Sequence, residues 1–125
     1  MRTSALVILL ALAMSPASAE PLPLVCTGEV NMFDQGTMKI DASGAMVDLD
    51  AGTFTAPVYG TYPIIRSEDT SIAFGADNEK VSTYGSLDRI SGKLTTSLMT
   101  PADRRAVSIG KSIKMISYVE ARCTP

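Results

Sequence analysis

An all-β fold is predicted for this chain: a small antiparallel barrel, or a tightly wrapped sandwich, with one short helix near residues 101–108. Three observations predict it. Apolar and polar residues alternate in six separate stretches, the mark of half-buried antiparallel strands. Glycines fall at 28, 36, 44, 52 and 60, an even interval that suits turns between short strands. Both cysteines, Cys26 and Cys123, land on the apolar faces of the first and last predicted strands. First and last strands that meet imply a closed or closely wrapped sheet, which hides its edges.

The elements follow in order. In the first, Leu24, Cys26 and Val30 share a face. Met38 and Ile40 oppose Thr37, Lys39 and Asp41, and after Gly44 a separate strand sets Ala45, Val47 and Leu49 against Met46, Asp48 and Asp50. Phe54, Ala56 and Val58 then lie together. Pro57 and Pro63 make their segment an edge, a bend or a crossing, because proline cannot donate to a ladder. Ile72 pairs with Phe74. From Gly85 to Leu94 the sequence reads as strand, tight turn at Ser91–Gly92, strand. Its apolar positions 87, 90 and 94 break period two, which predicts a bulge near Asp88–Arg89. Thr100-Pro101-Ala102-Asp103 has the form of a helix start, with Thr as cap, Pro at the first helical position and an acid in the first turn. The last run, 112–123, places Ile113, Met115, Ser117, Val119, Ala121 and Cys123 on one face.

The first 19 residues read as an export signal. Met1-Arg2 is a short basic start, Ala5 to Met14 is an apolar run of ten, and Ala17-Ser18-Ala19 is a small-x-small cleavage site. Ten residues are too few to span a membrane, which takes about 20, and no later stretch is long enough. The expected domain is therefore a single one, residues 20–125, in the periplasm or secreted. It should begin in an extended, frayed stretch around Pro21 and Pro23. Two thiols in an oxidising compartment most often pair, so a Cys26–Cys123 disulfide is expected.

Composition closes off several chemistries. The chain has no His, which removes the commonest general base and metal ligand. With the cysteines paired no thiolate remains. No metal or cofactor is expected. Asp48 and Asp50, two apart on a strand, are the one carboxylate pair placed for acid-base work. Ser108-x-x-Lys111 and Gly110-Lys111-Ser112 echo known motifs without their settings. A mildly acidic chain, 13 acidic against 11 basic residues with scattered positives, excludes nucleic acid as a partner.

Leu24-Val25-Cys26-Thr27-Gly28, Gly85-Ser86-Leu87-Asp88-Arg89-Ile90-Ser91-Gly92 and Ala121-Arg122-Cys123 together resemble a group of small exported bacterial proteins of unassigned function. Those run from a Cys-x-Gly first strand through a Gly-x-x-Asp-Arg-x-Ser/Thr-Gly hairpin to a C-terminal Cys. The resemblance implies an all-β domain with clamped ends and brings no catalytic residue. The expected function is non-catalytic: a binding or envelope protein for an unknown small molecule or envelope protein. Arg89 and Asp88, with Tyr59, Tyr62 and Tyr84, are the candidate ligand-facing residues at a barrel mouth, since Tyr offers an apolar ring with a polar tip. Two alternatives stand beside this one. A periplasmic lysozyme inhibitor is also a small exported β-barrel with cysteines near both ends. An enzyme would use Asp48 with Asp50, or Ser with Lys. Met38, Val47, Phe54, Phe74 and Leu94 are expected to fill the interior, which would leave binding to the rim.

Overall fold

The computed structural model describes residues 20–111 and 115–125. The predicted export signal, 1–19, and the start of the predicted last strand, 112–114, lie outside the described residues. Within them the strands are β1 (Leu22–Met32), β2 (Gly36–Asp48), β3 (Thr53–Ala56), β4 (Gly60–Ser67), β5 (Ser71–Asp77), β6 (Ser82–Asp88), β7 (Lys93–Met99) and β8 (Ser117–Thr124). One helix, α1 (Pro101–Ser108), joins β7 to β8. Each strand pairs antiparallel with the next in sequence, and β8 returns to β1, so the sheet is a closed barrel. Thr100 caps α1 as predicted, accepting the Asp103 N–H at 3.1 Å.

The seam that closes the barrel carries the disulfide. Cys26 lies directly opposite Cys123 in the β1–β8 ladder, and their sulfurs are bonded at 2.02 Å. Both side chains are buried in the core with Leu24, Val30 and Val119. The middle of the barrel is filled by Phe54 and Phe74, whose rings stack with centroids 4.4 Å apart. Gly85 faces Phe74 in register, and a Cβ there would lie 2.4 Å from the Phe74 Cζ. Its hydrogen is what lets the ring lie flat across β6.

Most buried positions are apolar, the exceptions being Ser82, Thr83, Thr96 and Ser117, while Glu29, Lys39, Glu120 and Arg122 stand on the outer surface. That is the reverse of a membrane-spanning barrel, which is apolar outside and polar within. No described helix is long and apolar enough to cross a membrane.

Several expectations are corrected. The two strands predicted on either side of Gly44 are one strand, β2. The register against β1 slips between Cys26 and Gly28, with Ala42 at φ 51°. One extra residue at this bulge switches the inward phase, so Ile40 is buried before it and Ala45 and Val47 after it. In sequence the same phase switch is indistinguishable from a turn. Gly28 and Gly44 accordingly sit in strands, whereas Gly36, Gly52 and Gly60 take positive φ in or beside turns. Met38 is 54% exposed and takes no part in filling the interior, and Val58, in the turn after β3, is also exposed.

Closure leaves no edge for the proline segment, so Pro63 lies inside β4. It is the last residue of β4 paired to β3, opposite Thr53, and the β5 ladder begins only at Ile64. Pro23 is paired as well, with Met46, rather than frayed. The β8 ladder starts at Val25, so Pro23 has a neighbour on one side only, where a missing N–H leaves no gap in a ladder.

The bulge is a site of strain that can be relieved. An L-residue in the left-handed region costs about 1–2 kcal/mol, and glycine does not. We expect Ala42→Gly to raise the unfolding free energy by about 0.5–1 kcal/mol after glycine's larger chain entropy is deducted. A urea midpoint that falls would contradict this.

Candidate functional site

Alternating strand direction sorts the loops into two ends. One mouth gathers the start of β1, the turns 49–52 and 68–70, the hairpin tip 89–92 and the end of β8. The other gathers the turns 33–35, 57–59 and 78–81 and helix α1.

This second mouth is plugged. The Tyr59 hydroxyl hydrogen-bonds the buried Ser117 hydroxyl, and the Tyr62 hydroxyl donates to the Tyr59 carbonyl at 3.2 Å. Both rings pack on the core. Burial pushes the Tyr59 phenol above its ordinary range, with the Ser117 bond acting in the opposite sense. Tyr84 instead lies on the outer wall. It donates to Asp77 at 2.9 Å, and the Arg104 guanidinium of α1 sits 4.0 Å over its ring. The hydrogen bond to Asp77 raises the Tyr84 phenol, and hydrogen bonds from Ser82 and then Tyr84 hold Asp77 low. α1 buries no residue, and this cation–π contact ties it to the barrel wall.

The first mouth is open. A cavity of about 370 Å³ occupies it. Leu24, Val47, Ile72 and Leu87 form its inner wall beside Cys123, and Leu22, Leu49 and Ile90 stand at its rim. Ile90 is 80% exposed, an isoleucine at a hairpin tip where turn chemistry favours polar residues or glycine.

That tip is heavily braced. Asp88 Oδ1 accepts the N–H groups of Ile90 and Ser91 at 2.8 and 3.0 Å. The Gly92 N–H donates to the Asp88 carbonyl, and the Cys123 N–H donates to the Gly92 carbonyl. Arg122 Nη1 donates to the Ser91 carbonyl at 2.8 Å. Gly92 has φ 80°, and a Cβ on it would lie 2.2 Å from the Cys123 carbonyl oxygen. Only glycine therefore lets the tip sit down on β8 beside the disulfide. The break in period two is this four-residue turn, not the bulge expected near Asp88–Arg89. The register shifts of the barrel lie at Cys26/Gly28 and Ile64/Arg66.

Arg89 is fixed from the neighbouring turn. Its N–H donates to the Thr70 carbonyl at 2.9 Å and its Nη1 to the Glu68 carbonyl at 2.8 Å. Of the five candidate ligand-facing residues, then, only Asp88 and Arg89 border the open cavity. Tyr59 and Tyr62 plug the far end, and Tyr84 faces outward. Asp48 ends β2 and accepts the Ala51 N–H at 3.0 Å, while Asp50 lies in the turn beyond. The two do not share a strand face as expected.

The N–H groups of Ser91 and then Ile90 hold the Asp88 carboxyl below the usual carboxylate range. A depressed folded-state pKa contributes stability in full above the unfolded value, near 4, and loses it as pH falls through the folded value. We expect the Tm gap between the wild type and Asp88→Ala to be widest at neutral pH and to narrow below about pH 4. A gap constant with pH would remove the charge from the account of this turn.

Sequence reasoning missed the apolar lining of the mouth. The available signal was Ile90 itself, with Leu49 just past the end of its strand.

The chain matches no known family model, no curated protein and no solved structure.

Proposed function

We propose that this is an exported, non-catalytic binding protein whose site is the open mouth of the barrel and whose ligand presents an apolar group to the cavity. One observation carries the reading. An open, apolar-walled cavity of about 370 Å³ stands above an otherwise filled interior. Its size falls within the range of small-ligand pockets, roughly 300–1,000 Å³. Three large apolar side chains from three separate segments stay at its rim in water, an arrangement that marks contact surfaces. The brace of hydrogen bonds around Ile90 keeps that rim preformed, so little ordering entropy is lost on binding. The signal-like first 19 residues and the paired cysteines support a place outside the cytoplasm.

The absence of tryptophan gives a clean test. Ile90→Trp places a single fluorophore at the mouth, and Val58→Trp places one at the plugged end. Titration with N-phenyl-1-naphthylamine should transfer energy from the first tryptophan with a saturable profile and far less from the second. Equal transfer from both, or none, would overturn the assignment.

A further inference from the structure

We propose that the natural ligand is a single-chain amphiphile with a carboxylate-type head, its tail in the cavity and its head on the guanidinium of Arg89. This rests on the reading that the mouth binds an apolar group and adds the class of ligand. The apolar inner wall supplies the site for a chain, and the polar end of the cavity is the hairpin tip. At that tip the positive charge is the less committed. Arg89 makes one side-chain hydrogen bond, through Nη1, and no ion pair among the described residues. Its remaining N–H donors form the fork that suits a carboxylate.

The nearby acids are placed otherwise. Glu68 offers Arg89 its main-chain carbonyl, while its carboxylate accepts from Ser71 at 3.4 Å. Asp88 turns its Oδ1 to two backbone N–H groups. Arg122 brings a second guanidinium to the same tip through the Ser91 carbonyl. Glu20, the other acid bordering the cavity, precedes β1 and forms no ion pair with Arg89 among the described residues. Of the two guanidinium groups at the turn only Arg89 borders the cavity, while Arg122 stands on the outer face, where its charge, after the backbone N–H donors, helps hold the Asp88 carboxyl low. An anionic head there gains charge-assisted hydrogen bonds, and a cationic head meets like charge.

The anchoring bonds fix where that head would sit. Nη1 is held by the Glu68 carbonyl and the main chain of Arg89 by Thr70, so the guanidinium is placed before a ligand arrives. Arg89→Lys keeps the charge and loses the fork, and Arg89→Gln loses both.

The test is displacement of bound N-phenyl-1-naphthylamine from the full chain by dodecanoate, dodecylamine and dodecyl maltoside. Each is kept below its self-association limit. Dodecanoate is expected to displace the probe at about a tenfold lower concentration than dodecylamine, as for one charge-assisted pair at a partly exposed site. The ratio should shrink as salt is raised. Arg89→Gln should abolish it and Arg89→Lys should leave part of it. Arg105→Gln, on α1 at the plugged end, should leave it unchanged. Thermal unfolding of each variant confirms that the ratio is read on folded protein, and the wild-type ratio stands without any variant. If the three amphiphiles displace alike, or the amine displaces best, the carboxylate assignment falls and the apolar site remains. If the wild type binds no probe at all, both fall.

Discussion

Replacing Cys26 and Cys123 together by alanine should lower the unfolding free energy by about 4–5 kcal/mol. The bridge closes a loop with a sequence separation of 97, and chain-entropy arguments assign a cross-link of that reach about that much stabilisation. Domains of this size hold only about 5–15 kcal/mol in all, so the variant should be marginal at physiological temperature. The position of the bridge matters as much as its reach. β1 and β8 are the first and last described strands, and their ladder from Val25–Thr124 to Met32–Ser117 is the last to form when the barrel closes in sequence order. The other strand pairs are joined by connections of three or four residues, except β7 and β8, which the segment carrying α1 joins. Only this pair must be brought together across the whole chain, and the disulfide removes that entropy from the unfolded state. Urea titration of the oxidised wild type and the double variant measures the difference. A loss under about 1 kcal/mol would mean that the β1–β8 ladder holds the seam by itself.

The second large effect belongs to Phe74. It is fully buried, stacks on Phe54, meets Tyr62 with centroids 6.4 Å apart, and covers Gly85 across the ladder. Phe74→Ala removes a ring from a barrel that cannot collapse around the gap, because eight hydrogen-bonded ladders set its radius. We expect a loss of about 3–5 kcal/mol, against about 1–2 kcal/mol for Phe74→Leu, which keeps most of the volume. The exposed Phe33 gives the contrast: Phe33→Ala should change stability by less than about 0.5 kcal/mol. Equal losses at 33 and 74 would contradict the placement of the core. Since the stacked pair lies below the cavity, Phe74→Ala should also deepen it, so the folded fraction of the variant should bind N-phenyl-1-naphthylamine at least as well as the wild type.

Much of the fold was legible in the sequence because a barrel wall with an apolar inside leaves a period-two pattern. Leu24, Cys26 and Val30 on β1, Ile72 and Phe74 on β5, and Val119, Ala121 and Cys123 on β8 face inward as the alternation predicts. The cysteine pairing was expected from two thiols in an exported chain, with the alternation placing both on inward faces, and the helix from its cap and proline. What alternation cannot separate is a bulge from a turn, since either one switches the phase. At Ala42 the turn was expected and the bulge found; at Asp88–Arg89 the reverse. Proline rules for open sheets misplaced Pro63 because closure removes the edges on which they rely.

The mouth was harder to read. Ile72 reads in sequence as the strand-face partner of Phe74 and Leu87 only as an apolar position of the hairpin, and both are core on one side and cavity wall on the other. Which side is open depends on how far the plugging aromatics reach along the axis, a property of the closed barrel and not of any one strand. The tyrosines look alike in composition, yet strand direction sends Tyr59 and Tyr62 to the mouth opposite Arg89.

Methyl-detected NMR of the labelled full chain during titration with N-phenyl-1-naphthylamine tests the central claim most directly. The account predicts saturable shifts confined to Leu22, Leu24, Val47, Leu49, Ile72, Leu87 and Ile90, with Val58 and Val107 at the other end unmoved. Shifts centred on those far residues, or no saturable shift anywhere, would contradict it.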